Sequence, residues 1–214
     1  MPHVTAPVTC DRDCPNDGAP SATKLIVLTG GPGAGKTAVL EIIRKELCEH
    51  VAVMPEAASI IFGGGFWRLD TPSARLCAQR AILHVQQQME NLIIGENKWP
   101  VVLCDRGLLD GLAYWPVTED DFWAEARSNR AEQFARYHAV IHLQVPGAAQ
   151  GYNHRNPLRT ETAAQAALID DRIRTIWSAH PRYHRVESNH DFLQKARSAL
   201  GLITQYLPPE CVKP

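Results

Sequence analysis

Gly30-Gly31-Pro32-Gly33-Ala34-Gly35-Lys36-Thr37 stands between a continuous apolar run, Leu25-Ile26-Val27-Leu28, and a segment in which Ala38, Val39, Leu40, Ile42, Ile43 and Leu47 recur at helical spacing. An unbroken apolar run of that length, stopped by glycine, reads as a strand buried on both faces. The octapeptide fits G-x-x-x-x-G-K-[S/T], a pattern that chance would produce roughly 0.002 times in a chain of this composition. Glycines let the backbone curl so that its N–H groups point at phosphate, and the following helix adds the positive end of its dipole. In such a cradle a lysine, here Lys36, meets the β and γ oxygens, and a hydroxyl, here Thr37, serves Mg²⁺. The cofactor expected is therefore a nucleoside triphosphate with magnesium, held by Gly31, Pro32, Gly33, Ala34, Gly35, Lys36, Thr37 and Ala38. ATP is favoured over GTP, because the only approach to N-K-x-D, Asn97-Lys98-Trp99-Pro100, lacks the aspartate.

Outward from the cradle, further apolar runs at Val51–Met54, Val101–Cys104 and Ala139–Leu143 read as strands. Helical spacing is expected from about Pro72 to Ile94 (Leu76, Ala78, Ala81, Ile82, Val85, Met89) and from Ala163 to Trp177. A more polar helix is expected over Asp121–Tyr137, then a short strand at Tyr183–Val186 and a last helix over Asp191–Tyr206. Strands alternating with helices imply an α/β fold, a parallel sheet with helices on both faces.

The 214 residues suffice for one sizeable core, and 22 basic against 23 acidic side chains give no electrostatic footprint for nucleic acid or a membrane surface. The longest interval without Lys, Arg, Asp or Glu, Tyr137 to His154, carries His138, His142, Gln144 and Gln150, so no membrane span is expected. The first residues lack the pattern of a secretory or transit peptide, and the six cysteines are not spaced as a disulfide framework, which suggests reduced thiols in the cytoplasm. Residues 1–22, rich in Pro, Asp, Gly and Ser, read as a flexible tail; residues 23–214 read as one nucleotide-binding domain.

Three further groups bear on chemistry. Asp105 closes the third strand at the sheet edge where ligands collect, reading as a magnesium-holding acid or a plain loop aspartate. The Arg106 that follows suits a transferring phosphoryl group better than the water-polarising glutamate of many hydrolases. Glu56, closing the second strand, is either a general base facing an acceptor hydroxyl or a capping or lid-pairing carboxylate. Gly63-Gly64-Gly65-Phe66-Trp67-Arg68, with Gln79 and Arg80 on the next helix, offers groups that stack on and hydrogen-bond a planar base; Phe66 and Trp67 equally suit a core cover. Arg155 and Arg159 read as a lid within about residues 151–180, whereas Arg172, Arg174, Arg182 and Arg185 read as partners of nearby acids.

The segments LTGGPGAGKT, VMPEAA, CDRGLLDGLAY and RNPLRTETAA resemble small AAA-type P-loop proteins, similar to nicotinamide riboside kinase domains and more distantly to deoxynucleoside and thymidylate kinases, over about residues 24–206. The resemblance implies a three-layer fold with a five-stranded parallel sheet ordered 2-3-1-4-5. It also implies Glu56 as the base-side acid, Asp105-Arg106 as the acid–arginine pair, and Gln79 and Arg80 on the acceptor-binding helix. Gly107 departs from the Ser or Tyr frequent in those kinases, and the Gly63–Gly65 triplet has no counterpart there. Together these features predict a kinase: ATP- and magnesium-dependent phosphoryl transfer to a small nucleoside-like or other hydroxyl acceptor, with Lys36, Glu56, Asp105, Arg106, Arg155 and Arg159 catalytic. The rivals are a nucleotide switch and a simple ATPase, either acting on a protein partner.

Overall fold

The structure is a computed structural model that describes residues 22–46, 50–146, 162–188 and 191–208. The apolar runs become strands β1 (Lys24–Thr29), β2 (Val51–Met54), β3 (Val101–Asp105), β4 (Tyr137–Leu143) and β5 (Tyr183–Val186). All pair in parallel, in the order β2-β3-β1-β4-β5. β1 lies at the centre, where residues Leu25 to Leu28 are each no more than 1% exposed, which is why this strand is the most uniformly apolar.

Helices α1 (Lys36–Glu46), α2 (Ala57–Gly63), α3 (Pro72–Glu96), α4 (Glu119–Ala126), α5 (Arg130–Arg136), α6 (Ala163–Trp177) and α7 (Phe192–Thr204) connect and cover the sheet, with a 3-10 turn at Leu108–Ala113. One face of the sheet packs with α1 and α7 (Val39, Ile43, Ala199, Ile203), and the other with α3, α4 and α6 (Leu83, Phe122, Ile173, Trp177).

Three local readings change. The seven-residue α2 and the 3-10 turn were not expected, being too short to show a period. The polar segment expected as one helix over Asp121–Tyr137 is two. Thr118 starts α4 with a capping box, Arg127 stops it in the left-handed region (φ 49°), and Asn129 starts α5 by accepting from Glu132 N at 3.0 Å. Tyr137 then belongs to β4. The last helix ends at Thr204, two residues early, with Asp191 as its N-cap rather than its first turn.

Most of the expected tail, with Cys10 and Cys14, and the expected lid arginines Arg155 and Arg159 lie outside the described residues. Among the described residues Cys77 and Cys104 are free thiols, and no helix is long and apolar enough to cross a membrane.

Parallel pairing brings the carboxyl ends of β1, β2 and β3 to one edge. Thr29, Met54 and Asp105 therefore deliver the cradle, Glu56 and Arg106 to the same place.

Candidate functional site

Residues 30–35 curl between β1 and α1 as the spacing predicts. Gly30 has φ 137°, and a Cβ there would lie 2.2 Å from Leu143 O; at Gly31 a Cβ would meet Ala166 O and Val145 Cγ2 at 2.8 Å. Only glycine fits this close approach. Lys36 is 7% exposed and donates from Nζ to Gly30 O (2.8 Å) and Gly31 O (3.2 Å). Two of its three N–H groups are thus committed to the loop it serves. Burial, reinforced by Arg106, lowers its pKa to about 8.

The cradle is braced from outside by charges that the sequence reading passed over. Asp170 on α6 accepts from Gly31 N (2.7 Å), Val145 N (3.2 Å) and His142 Nε2 (2.9 Å), leaving His142 Nδ1 to accept from the Tyr183 hydroxyl at 2.8 Å. Lys195 on α7, 3% exposed, donates to Ala34 O (2.8 Å) and Gln144 O (2.5 Å). An anion therefore holds an N–H near one end of the loop and a cation holds a carbonyl near the other. The available signal was a charged residue inside an apolar stripe, Asp170 between Ala166 and Ile173 and Lys195 before Ala199 and Ile203.

Beside the cradle lies a compact charge cluster. Arg106 donates from Nε to Glu56 Oε1 (2.5 Å) and from Nη1 to Asp110 Oδ2 (3.1 Å) and Gly30 O (3.2 Å). Glu56 also accepts from the Ser59 hydroxyl at 2.5 Å. Burial opposes its ionisation, but Arg106, Lys36 and these hydrogen bonds outweigh it and hold its pKa at about 2. Asp105 differs: burial pushes its carboxyl up to about 6, with Lys36 working against the shift and Glu56 with it. Its Oδ1 is buried and has no hydrogen-bond partner among the described residues.

The Glu56–Arg106 pair sets a pH dependence. Because the folded-state pKa of Glu56 lies below its ordinary 4.5, its stabilisation is complete above that value and fades as pH falls towards about 2. In urea unfolding at stepped pH, wild type is expected to exceed Glu56→Gln by a constant margin from pH 7 to about 5. The margin should shrink below pH 4.5; one that persists undiminished at pH 3 would contradict the pairing.

A cavity of about 900 Å³ opens from the cradle, with Lys36, Thr37, Glu56, Asp105 and Arg106 all in its wall. Pro32 and Gly33 also face it, while Ala34 is buried in the loop and Ala38 continues α1 as an exposed residue. Of the residues expected on the acceptor side, Trp67 and Gln79 line the cavity, and Trp67 is 78% exposed, so it does not cover the core. Arg80 is not in the wall; its Nε pairs with Glu125 Oε2 on α4 at 2.7 Å, one helical position round from Gln79. Arg172, read as a partner of nearby acids, instead lines the cavity, and its only hydrogen bond to a described residue is a long one to Ala113 O (3.5 Å). Arg174 pairs with Asp171 at 2.5 Å, as read.

The sequence signature described as the AAA domain matches residues 25–192. No curated protein matches the chain. Two solved structures of similar fold are a NadR protein in complex with NAD and AMP-PNP (12% identity, TM-score 0.59) and a NadR protein in complex with NR (13% identity, TM-score 0.62). Each alignment covers 86% of this chain but only 49% and 52% of those chains, so this protein spans about half their length. At that identity the likeness establishes the fold alone.

Proposed function

The chain belongs to the AAA domain family of P-loop nucleotide-binding proteins, and from that premise we propose that it transfers a phosphoryl group from Mg·ATP to the hydroxyl of a small nucleoside-like acceptor. The observation that carries the reading is the acid–arginine cluster of Glu56, Asp105 and Arg106, which shares one cavity with Lys36 and with the aromatic and amide groups of Trp67 and Gln79. A hydrolase needs only water beside its cradle; this cavity has room and recognition groups for a second molecule.

The residues present suit the nucleotide and its metal. The glycine loop packs too closely on β4 and α6 to admit a Cβ at Gly30 or Gly31, so its curl is fixed by its surroundings, and the Asp105 Oδ1, unpartnered among the described residues, with the Thr37 hydroxyl makes a hard-oxygen pair of the kind magnesium takes. When bound, Mg·ATP supplies the transferable phosphoryl group and neutralises the charge that would repel an incoming oxygen. Lys36 and Arg106 stabilise negative charge on the phosphoryl oxygens as it moves. Arg106 is suited to this because Nη2 makes no hydrogen bond to any described residue, while its other nitrogens fix its plane. Glu56, with its low pKa, is a weak base; its contribution is to orient the acceptor hydroxyl and accept its proton as the new O–P bond forms, before passing it to solvent.

ADP release in Mg·ATP, measured across a panel of nucleosides, nucleotides and simple alcohols, tests this. At least one acceptor is expected to raise the rate by about tenfold or more over water alone. A flat response across the panel would remove the kinase reading. Tight nucleotide binding without turnover would then identify a switch, and acceptor-independent turnover an ATPase.

A further inference from the structure

Asp110, the second carboxylate on Arg106, is among the most tightly held of the described side chains. It sits in the 3-10 turn after β3 and is 2% exposed. Both of its oxygens are occupied: Oδ1 accepts from Trp177 Nε1 at 2.6 Å, and Oδ2 from the Thr29 hydroxyl at 2.6 Å and from Arg106 Nη1 at 3.1 Å. Thr29 ends β1 immediately before the cradle, and Trp177 ends α6. One carboxylate therefore joins the central strand, the helix that braces the cradle, and the arginine of the charge cluster.

Arg106 needs such a hold. Its backbone lies in the left-handed region (φ 76°), unusual for a residue other than glycine. Gly107, the residue that follows, is pressed so closely against Trp177 that a Cβ there would lie 2.9 Å from Cζ2. With Glu56 alone as its counter-ion, the guanidinium would be drawn towards the mouth of β2. The second anion, held by Thr29 and Trp177 and taken up by a different nitrogen, counters that pull and keeps Nη1 on Gly30 O, against the cradle.

We infer that Asp110 is a positioning residue that aims the Arg106 guanidinium at the terminal phosphate of the bound nucleotide. The inference rests on the nucleotide-facing role proposed for Arg106, but its test is an equilibrium measurement that requires no acceptor, so failure of the kinase reading and failure of this one are separable.

The test is a double-mutant cycle with Asp110→Asn, Arg106→Ala and the double variant, reading the Kd of Mg·ADP and of a non-hydrolysable Mg·ATP analogue by calorimetry. Only the analogue carries the terminal phosphate. Asp110→Asn is expected to weaken the analogue by roughly five- to tenfold while Mg·ADP stays within about twofold, and to add nothing in the Arg106→Ala background. Equal losses for both ligands, or a loss that persists without Arg106, would overturn the inference. Trp177→Phe removes the indole N–H but leaves the Asp110–Arg106 bond. With one anchor of Asp110 gone, it is expected to lower Tm and to weaken the analogue selectively, by less than Asp110→Asn does, and equal loss of both ligands there would assign the effect to packing. Should Asp110→Asn fail to fold, Thr29→Val, which frees Oδ2 from its hydroxyl, carries the same comparison: selective weakening supports the role, and equal weakening of both ligands rejects it.

Discussion

In Lys36→Ala, phosphoryl transfer is expected to fall to about a thousandth of wild type or below, while circular dichroism and Tm stay close to those of the parent. The side chain is not part of the apolar core, and its hydrogen bonds go to Gly30 O and Gly31 O, which water entering the vacated space is expected to take over in the variant. What disappears is a buried positive charge in a low-dielectric cleft, where charge stabilisation is strongest. Although burial lowers its pKa to about 8, the group is still mostly protonated at pH 7, and anionic phosphate raises the pKa further. Normal turnover in this variant would dismantle the phosphate-cradle assignment. A large fall in Tm would instead show that Lys36 holds the loop together in the absence of nucleotide.

Glu56→Gln is expected to cost roughly 10²- to 10⁴-fold in acceptor-dependent turnover while Mg·ATP binding persists. The amide keeps the shape of the carboxylate but cannot take the acceptor proton, and it no longer offers Arg106 a counter-ion at 2.5 Å. A hydrolase or a switch assigns this residue no such work, so ADP release with and without the best acceptor, for parent and variant side by side, separates the readings. Indistinguishable rates would leave Glu56 as the partner of Arg106 and Ser59 alone.

The parts of this site legible in the sequence were those carried by neighbouring residues. The cradle needs glycines, a lysine and a hydroxyl within eight positions, and Asp105 and Glu56 each directly follow or lie close to a strand whose apolar run marks the sheet edge. Asp110, Asp170 and Lys195 were passed over because each acts across a long stretch of chain. Asp110 meets Thr29 at a separation of 81 residues, Asp170 meets Gly31 at 139, and Lys195 meets Ala34 at 161. In the sequence Asp110 is a lone charge in an apolar segment, Asp170 opens the run Asp170-Asp171-Arg172 and Lys195 stands two residues before Arg197, each indistinguishable from a solvated charge until the sheet order is known. Gln79 and Arg80 show the converse limit: adjacent in sequence, they point about 100° apart on a helix, and only Gln79 reaches the cavity. The α4–α5 break was missed for a local reason, since Ser128-Asn129 was not weighed as a start signal inside a polar segment without a strong period.

The outer braces of the cradle have a consequence for biosynthesis. At a translation rate of roughly 5–20 residues per second, the interval between synthesis of Ala34 and of Lys195 is on the order of ten to thirty seconds. Throughout it the nascent chain carries the complete P-loop motif without the cation that fixes its carbonyl, and for most of it without the carboxylate that fixes its N–H. The central strand is no better placed, because β1 pairs with β3 and β4, each far downstream. Nucleotide is therefore expected to stabilise this fold only after α7 docks, rather than to template its first half as it emerges.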